Sequence, residues 1–120
     1  MATIAAAIEE IKTWGDDCHV ITWTPLANGD DGQRIEMPGS ADRSVQIEGT
    51  FGAGGNLRIE GSNDGTNYRP LVDPQGNALD ITSAKIEQVL EIVRYIRPRV
   101  TAGDGTTSLT VTMIVRRPFR

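Results

Sequence analysis

The sequence predicts a single all-β domain, a β-sandwich or jelly roll of about seven or eight short antiparallel strands. Several runs alternate apolar and polar residues, which is the period of a half-buried strand. Thirteen glycines and six prolines lie mostly between these runs, and they recur at the spacing of turns in such folds. The length of 120 residues suits one domain with one core. A hydrophobic content of 38% argues against disorder.

The first fifteen residues are predicted to form a short N-terminal helix or arm, ahead of the sandwich at residues 16–120. Ile4, Ile8 and Ile11 recur at helical spacing, and Gly15 can end a helix. A helix of this length is marginal in isolation, so its apolar stripe must pack against something. Two alternatives stay open: the segment covers the sheet, or it reaches a neighbouring subunit.

Further along the chain, apolar and polar alternation predicts strands over residues 18–24, 34–37, 45–48, 57–60, 68–72, 78–82, 94–101 and 108–115. Glycines between 45–48 and 57–60 predict a tight turn and a hairpin. Residues 84–93 fit a helical stripe better than a strand, and we predict a short helical turn followed by an extended segment. Pro98 lacks an amide donor, so its strand is predicted to lie at an edge or to bulge.

The apolar members of the clearest strands form the predicted core. In each of these strands they alternate with polar or small residues, which places them together on one face. We predict that the following residues are buried in one sandwich core: Val45, Ile47, Leu57, Ile59, Leu109, Val111 and Met113.

Nothing in the sequence has the pattern of a catalytic or metal site. The single histidine, His19, follows the single cysteine, Cys18, in a predicted strand, and adjacent strand residues point to opposite faces. The usual zinc ligand sets are missing. Asp30 and Asp31 do not fit an EF-hand loop, and the glycines at 52–55 lack the lysine of a phosphate loop. We therefore predict a protein that is not an enzyme, with no catalytic residues, cofactor or metal.

Charge is distributed unevenly along the chain. Residues 94–120 contain six arginines and one acid, a net charge of +5, whereas residues 1–93 carry −9. A basic segment on an acidic body suits docking onto an acidic protein surface or onto another copy of the chain. We expect no direct nucleic-acid partner, because the arginines lack the interleaved aromatic residues of a single-strand platform.

The sequence also predicts no contact with a membrane and synthesis in a cytoplasm. No apolar run approaches the ~20 residues of a membrane helix. Glu9 and Glu10 interrupt the N-terminal segment where the apolar part of a signal peptide would continue.

Three stretches carry a resemblance to a known family: SNDGTNY at residues 62–68, LVDPQGNAL at 71–79 and RYIRPRVTAGDGTTSLTVTMI at 94–114. With the glycine-bounded strands before them, they resemble the capsid decoration, or cement, proteins of tailed bacteriophages, over about residues 44–115. The resemblance implies a structural virion protein of jelly-roll or sandwich fold. Such a protein lies on the capsid surface and clamps neighbouring major capsid protein subunits from outside. The family shares no catalytic residues that could be carried over.

A second resemblance belongs to another class of protein. The stretch at residues 62–68 is similar to the SxDGxxW motif of discoidin-type jelly rolls, with Tyr68 in place of the tryptophan. It implies, as the alternative, a glycan-binding module of a phage fibre or other head appendage.

The predicted partners are the major capsid protein and a second copy of the chain, with a dimer favoured over a trimer. Arginine is common at interfaces because its planar group pairs with carboxylates in a bidentate manner. The candidate interface residues are the N-terminal isoleucines and the C-terminal arginines: Ile4, Ile8, Ile11, Arg97, Arg99, Arg116, Arg117 and Arg120.

Overall fold

A computed structural model describes residues 1–11 and 18–118 of the chain. Over these ranges the chain forms only strands: β1 (Thr3–Ile4), β2 (Ala7–Ile11), β3 (Cys18–Leu26), β4 (Asp31–Gly32), β5 (Asp42–Thr50), β6 (Asn56–Ser62), β7 (Arg69–Pro70), β8 (Asp80–Ile81), β9 (Lys85–Val89), β10 (Tyr95–Ala102) and β11 (Ser108–Arg116). In the same ranges no helix is long and apolar enough to cross a membrane.

The strands make two sheets that pack into a sandwich, which confirms the predicted fold class. Within the described ranges, the six-stranded sheet has the order β1-β4-β10-β6-β7, with β8 also paired to β6. The five-stranded sheet has the order β2-β3-β11-β5-β9. The described strand pairs are antiparallel except β1 with β4. Alternate residues of both sheets meet between the layers, so one core holds the sandwich together.

The predicted core is confirmed. All seven predicted residues have no exposed surface: Val45, Ile47, Leu57, Ile59, Leu109, Val111 and Met113. Trp23, which was not among them, is the largest fully buried side chain in the described ranges. Its indole Nε1 donates a hydrogen bond to the Gln33 carbonyl at 3.0 Å, so the one polar atom of this core residue is satisfied.

The predicted N-terminal helix is wrong. Residues 3–4 form β1, which pairs with β4, and residues 7–11 form β2, which pairs antiparallel with β3. The exposed edge of β3 offers hydrogen-bond partners along five residue pairs, whereas a helix this short has little stability of its own. Tertiary pairing therefore overrides the helical spacing of the isoleucines. The predicted boundary between residues 15 and 16 lies outside the described residues.

The prediction for residues 84–93 is also wrong. They begin with strand β9, which pairs with β5 over five residues, and continue as non-helical chain from Leu90 to Val93. Val89 is buried against the core, while Ile86 and Leu90 are exposed. The apparent helical stripe is thus not one buried face.

Residues 45–48 and 57–60 do form strands, but the predicted hairpin between them does not exist. β5 belongs to the five-stranded sheet and β6 to the six-stranded sheet, so the glycine-rich segment crosses from one layer to the other. Gly49 has a φ of +119°, and a side chain there would meet the Ser108 carbonyl. A hairpin and a crossing between layers both leave one apolar face per strand, which is why alternation alone could not separate them.

Two other predicted strands are shorter than expected. Only Arg69–Pro70 of residues 68–72 and Asp80–Ile81 of residues 78–82 pair as strands, and both pair with the same edge of β6 at successive positions. The strand that contains Pro98 lies between β6 and the short β4, and its irregularity falls between Val100 and Ala102.

Candidate protein-binding surface

The structure separates the predicted interface residues between the outer faces of the two sheets. Along β10 the buried residues alternate with Tyr95, Arg97 and Arg99, so these three side chains lie on the outer face of the six-stranded sheet. Arg116 ends β11 on the outer face of the five-stranded sheet. The candidate residues that the structure describes therefore do not form one surface.

Arg97 is bound within its own chain. Its Nε donates to the Glu60 carboxylate at 2.7 Å, and its Nη1 lies 3.4 Å from Asp31. Its guanidinium also stacks 3.8 Å from the centre of the Tyr68 ring. Glu60 is only 2% exposed, so this ion pair is partly desolvated and geometrically fixed. The arrangement is that of a structural cross-link between β4, β6 and β10.

Other arginines of the basic C-terminal part also pair with acids of residues 1–93. Arg94 lies 2.6 Å from Glu36, and Arg116 lies 2.9 Å from Asp42. Arg99 is nearly half exposed, with a longer contact of 4.0 Å to Glu60. Much of the charge asymmetry is therefore neutralised within the fold. Arg117 follows β11 at an exposed position, and Arg120 lies outside the described residues.

The three N-terminal isoleucines have different environments. Ile4 is partly buried and packs against the core. Ile8 lies in register with the buried Ile21, yet it is exposed because β2 is the edge of its sheet. Ile11 lies in register with Cys18 and is half-buried. Only Ile8 and Ile11 remain as surface candidates.

A cavity of about 460 Å³ opens on the outer face of the five-stranded sheet. Ile114, at 42% exposure, is its main apolar wall, and the Asp42–Arg116 ion pair lies on its rim. Four neighbouring strands contribute its lining: Cys18, Asp42, Arg43, Ser44, Gln88, Ile114 and Arg116. We call this region, together with Ile11 beside Cys18, the outer-face site.

Arg43 anchors the loop beside the outer-face site. Its Nε donates to the Ser40 carbonyl at 3.0 Å, and its Nη2 donates to the Met37 carbonyl at 2.8 Å. Burial lowers the pKa of this guanidinium, but an arginine stays charged at neutral pH. The loop before β5 is thereby fixed, and the strand that carries Asp42 begins at a defined position.

The acids that invited a calcium interpretation have structural roles. Asp30 accepts hydrogen bonds from the backbone amides of Ala2 and Ala27, both at 2.9 Å. Asp31 accepts one from the Thr3 hydroxyl at 2.7 Å. These bonds attach the N-terminal strand to the loop before β4. Over the described ranges, no three His, Cys, Asp or Glu residues form a group suited to a metal.

The two Asp-Gly-Thr triplets form turns of similar chemistry at different places. Asp64 accepts from the amides of Asn67 and Thr66, which lowers its pKa far below the usual value. The Thr106 hydroxyl, followed by the Ala53 amide, lowers the pKa of Asp104 to about 2. The first turn joins β6 to β7 within one sheet, whereas the second joins β10 to β11 across the layers. Asp104 thus ties the two layer crossings together through Ala53.

The fold is shared with a prophage protein. The crystal structure of the SPBc2 prophage-derived protein YomS matches with a TM-score of 0.62 and 12% sequence identity. The match covers 87% of this chain and 98% of that protein. At this identity, the likeness shows the fold alone. No protein-family model and no curated protein matches the sequence.

Sequence reasoning missed the exposed apolar residues of the five-stranded sheet and the segment after it. Ile86, Leu90, Ile92 and Ile114 all have large exposed fractions. The exposure of Ile114 could have been predicted from the sequence, because Ile114 occupies an outward position in the alternation of the last strand. Ile86 and Leu90 were assigned to a helical stripe, which implied burial, whereas Ile92 was not part of that stripe.

Proposed function

We propose that this chain is a structural protein of a tailed-bacteriophage particle, attached to the outside of the shell of major capsid protein. There it holds neighbouring capsid subunits together. The observation that carries the proposal is the outer-face site, where an exposed isoleucine lies beside a cavity with a charged rim. The resemblance to decoration proteins over residues 44–115 and the fold shared with a prophage-derived protein support it.

The outer-face site suits a protein partner better than a small molecule. Residues of four neighbouring paired strands line it, so its shape is set by the sheet and not by a loop. Protein interfaces combine an apolar centre with a polar rim in which arginine is enriched. Ile114 supplies the apolar element, and the Asp42–Arg116 pair supplies polar groups that a capsid segment can approach from solvent.

A decoration protein binds the shell through many weak contacts that the symmetry of the shell repeats. Two linked copies bind more tightly than one, because the second contact becomes intramolecular. We therefore include self-association, with a dimer favoured over a trimer, in the proposal. The protein would be made in the host cytoplasm and then reside on the capsid surface.

Purified particles of the phage that encodes the chain provide the first test. On a stained gel, a decoration protein of 13.0 kDa gives a band of the same order of abundance as the major capsid protein. Absence of the band from particles would contradict the proposal. A faint band of a few copies would favour the glycan-binding fibre module instead.

Addition of purified protein to particles that lack it tests the surface. We expect Ile114→Lys to abolish attachment, since it places a charge at the apolar wall of the outer-face site. Gln75→Lys, which adds the same charge at an exposed turn, serves as the matched control and should attach fully. Point substitutions are preferable to removal of the N-terminal segment, because β1 and β2 belong to the two sheets. Full attachment of Ile114→Lys would refute the proposed surface.

Neither Tyr68, the aromatic residue of the predicted glycan motif, nor Tyr95 on the same sheet favours the alternative. Sugar rings stack on open aromatic faces, but the Tyr68 ring is covered by Arg97 at 3.8 Å. Arg34 lies 4.0 Å above the centre of the Tyr95 ring, and Arg94 also contacts it. We therefore keep glycan binding only as an outcome of the particle test.

A further inference from the structure

We infer that two copies of the chain pair through strand β9, antiparallel and with Ile86 on the two-fold axis, so that their five-stranded sheets join into one. The inference rests on the self-association part of the proposed function and does not depend on attachment to a shell. It names the strand, the register and the residue pairs of that dimer.

The first reason is the character of the β9 edge. β9 is the last strand of its sheet and pairs with β5 along its whole length. Ile86 lies within β9 and Leu90 and Ile92 follow it, and all three are among the most exposed large apolar residues in the described ranges, at 60%, 53% and 60%. Monomeric proteins usually block such edges with prolines, bulges or charges. In β9 the one lysine, Lys85, is matched by Glu87 two residues later.

The opposite edge of the same sheet is unsuited to pairing with itself. β2 carries Glu9 and Glu10 with no basic residue between Ala7 and Ile11. A pair of β2 strands centred near these acids brings like charges together, which is destabilising across strands. The two edges of the five-stranded sheet therefore differ, and only β9 has balanced charge.

The second reason is that one register of β9 is complementary to itself. In an antiparallel pair with two-fold symmetry, one residue lies opposite its own copy. If Lys85 or Glu87 occupies that position, two like charges meet. With Ile86 on the axis, the two exposed isoleucines touch, and Lys85 of each copy lies opposite Glu87 of the other. Opposite charges at directly opposed positions stabilise a sheet.

The two remaining registers, with Gln88 or Val89 on the two-fold axis, conflict with existing bonds or bring like charges together. If Gln88 lies on the two-fold axis, residues 90 and 91 must also pair with the strand of the other copy. However, the Leu90 amide donates to the Val72 carbonyl at 2.9 Å, and the Glu91 carboxylate accepts from the Val72 amide at 2.9 Å. A centre at Val89 places Glu87 opposite the Glu91 of the other copy. The Ile86 register leaves both contacts with Val72 intact, and the Glu87 carboxyl, which also hydrogen-bonds to Asp73 of its own chain, is the group that Lys85 of the other copy meets.

Charge exchange between two variants tests this register. Lys85→Glu brings four acids to the pair, and Glu87→Lys brings four bases. Each variant alone should have a dimer dissociation constant raised about 10- to 100-fold relative to the unmodified chain. In an equimolar mixture, the two acids of one variant face the two bases of the other, so mixed dimers should form with nearly the original affinity. Sedimentation equilibrium, with one variant fluorescently labelled, measures all three cases.

Substitution of the axial residue gives the matched control. Ile86→Lys should weaken the dimer by a similar factor, whereas Ile114→Lys, at another exposed isoleucine of the same sheet, should leave it unchanged. Thermal melts of every variant verify folding. The inference is overturned if the unmodified chain stays monomeric at high concentration, if both charge variants dimerise like it, or if their mixture does not recover. Normal dimerisation of Ile114→Lys, together with its failure to attach to the shell, separates this inference from the proposed function.

Discussion

The outer faces of the two sheets differ in how far their polar groups are paired and their apolar groups are exposed. On the six-stranded sheet, charged groups find partners within the chain, as Arg97 does with Glu60 at 2.7 Å and Arg58 with Asp80 at 3.0 Å. Guanidinium groups cover its tyrosine rings. On the five-stranded sheet, Ile86 and Ile114 face solvent, and strand β9 leaves one edge unpaired among the described residues.

This difference supports the proposal that a partner binds the five-stranded sheet. A surface whose charges already form ion pairs within the chain gains little binding free energy from a partner, because each new ion pair must first replace an existing one. Contact at exposed isoleucines and at an open strand edge contributes binding free energy directly. Apolar area is removed from water, and unpaired backbone groups form hydrogen bonds. The arginine-rich end of the sequence is therefore a weaker sign of docking than the isoleucines of the other sheet.

The largest expected effect comes from the core that both sheets share. Leu109→Ala removes a fully buried side chain between the layers and should lower the free energy of unfolding by about 2–4 kcal/mol. Val111→Ala should also destabilise the sandwich. Ile114→Ala, at an exposed position of the same strand, is the control and should change stability by less than about 0.5 kcal/mol. Urea unfolding monitored by tryptophan fluorescence gives the three values, and equal values for Leu109→Ala and Ile114→Ala would refute the core assignment.

The next largest effect on the free energy of unfolding is expected from an ion pair on the six-stranded sheet, compared with an ion pair on the five-stranded sheet. Glu60→Gln leaves Arg97 without its closest carboxylate in a partly desolvated site, and Asp31 at 3.4 Å compensates only in part. We expect a loss of about 1–3 kcal/mol. Asp42→Asn removes the partner of the exposed Arg116 and should cost less than about 1 kcal/mol. If denaturant titrations give equal losses for the two variants, the outer faces do not differ as described.

A pH-dependent effect is expected at the crossing turn of Asp104. Its pKa in the folded protein is lowered to about 2, below the value of about 3.9 in an unfolded chain. The ionised carboxylate therefore stabilises the fold above about pH 4, and this contribution is lost as pH falls towards 2. Asp104→Asn should lower the melting temperature at neutral pH, and the deficit should shrink in acid. A deficit of constant size from neutral to acid pH would contradict the assignment.

The smallest effect on stability is expected at the edge. Ile86→Lys replaces an exposed side chain of an edge strand, so the unfolding free energy of the monomer should change by less than about 0.5 kcal/mol. The dimer dissociation constant should nevertheless rise about 10- to 100-fold. Melting curves at low protein concentration isolate the monomer, and a large drop in melting temperature there would mean that Ile86 belongs to the fold.

The core of the fold could be predicted from the sequence because alternation is a local property. Leu57 and Ile59, or Leu109 and Val111, mark one face of a strand wherever that strand pairs. Pairing partners are not local. The glycines after residue 48 fit a hairpin and a layer crossing equally well. Residues 7–11 become a strand only because they pair with the free edge of β3.

The candidate site was less predictable for the same reason. Arg97 and Arg116 were expected to face a partner, but their acids, Glu60 and Asp42, are distant in sequence and became visible only in the fold. Ile86 was expected to be buried in a helical stripe, and it is exposed because it lies in register with Gln46 on the outer face of its sheet. Which apolar residues stay outside depends on sheet order, which periodicity does not encode.

Hydrogen–deuterium exchange at several protein concentrations tests most directly whether the β9 edge is the site of self-association. Amides of Lys85–Val89 that point away from β5 should exchange quickly in dilute protein and become protected as the concentration rises. Amides of Asn56–Ser62, inside the six-stranded sheet, should exchange at the same rate throughout. Protection that rises with concentration in Ala7–Ile11 but not in Lys85–Val89, or that rises in neither, would contradict the account.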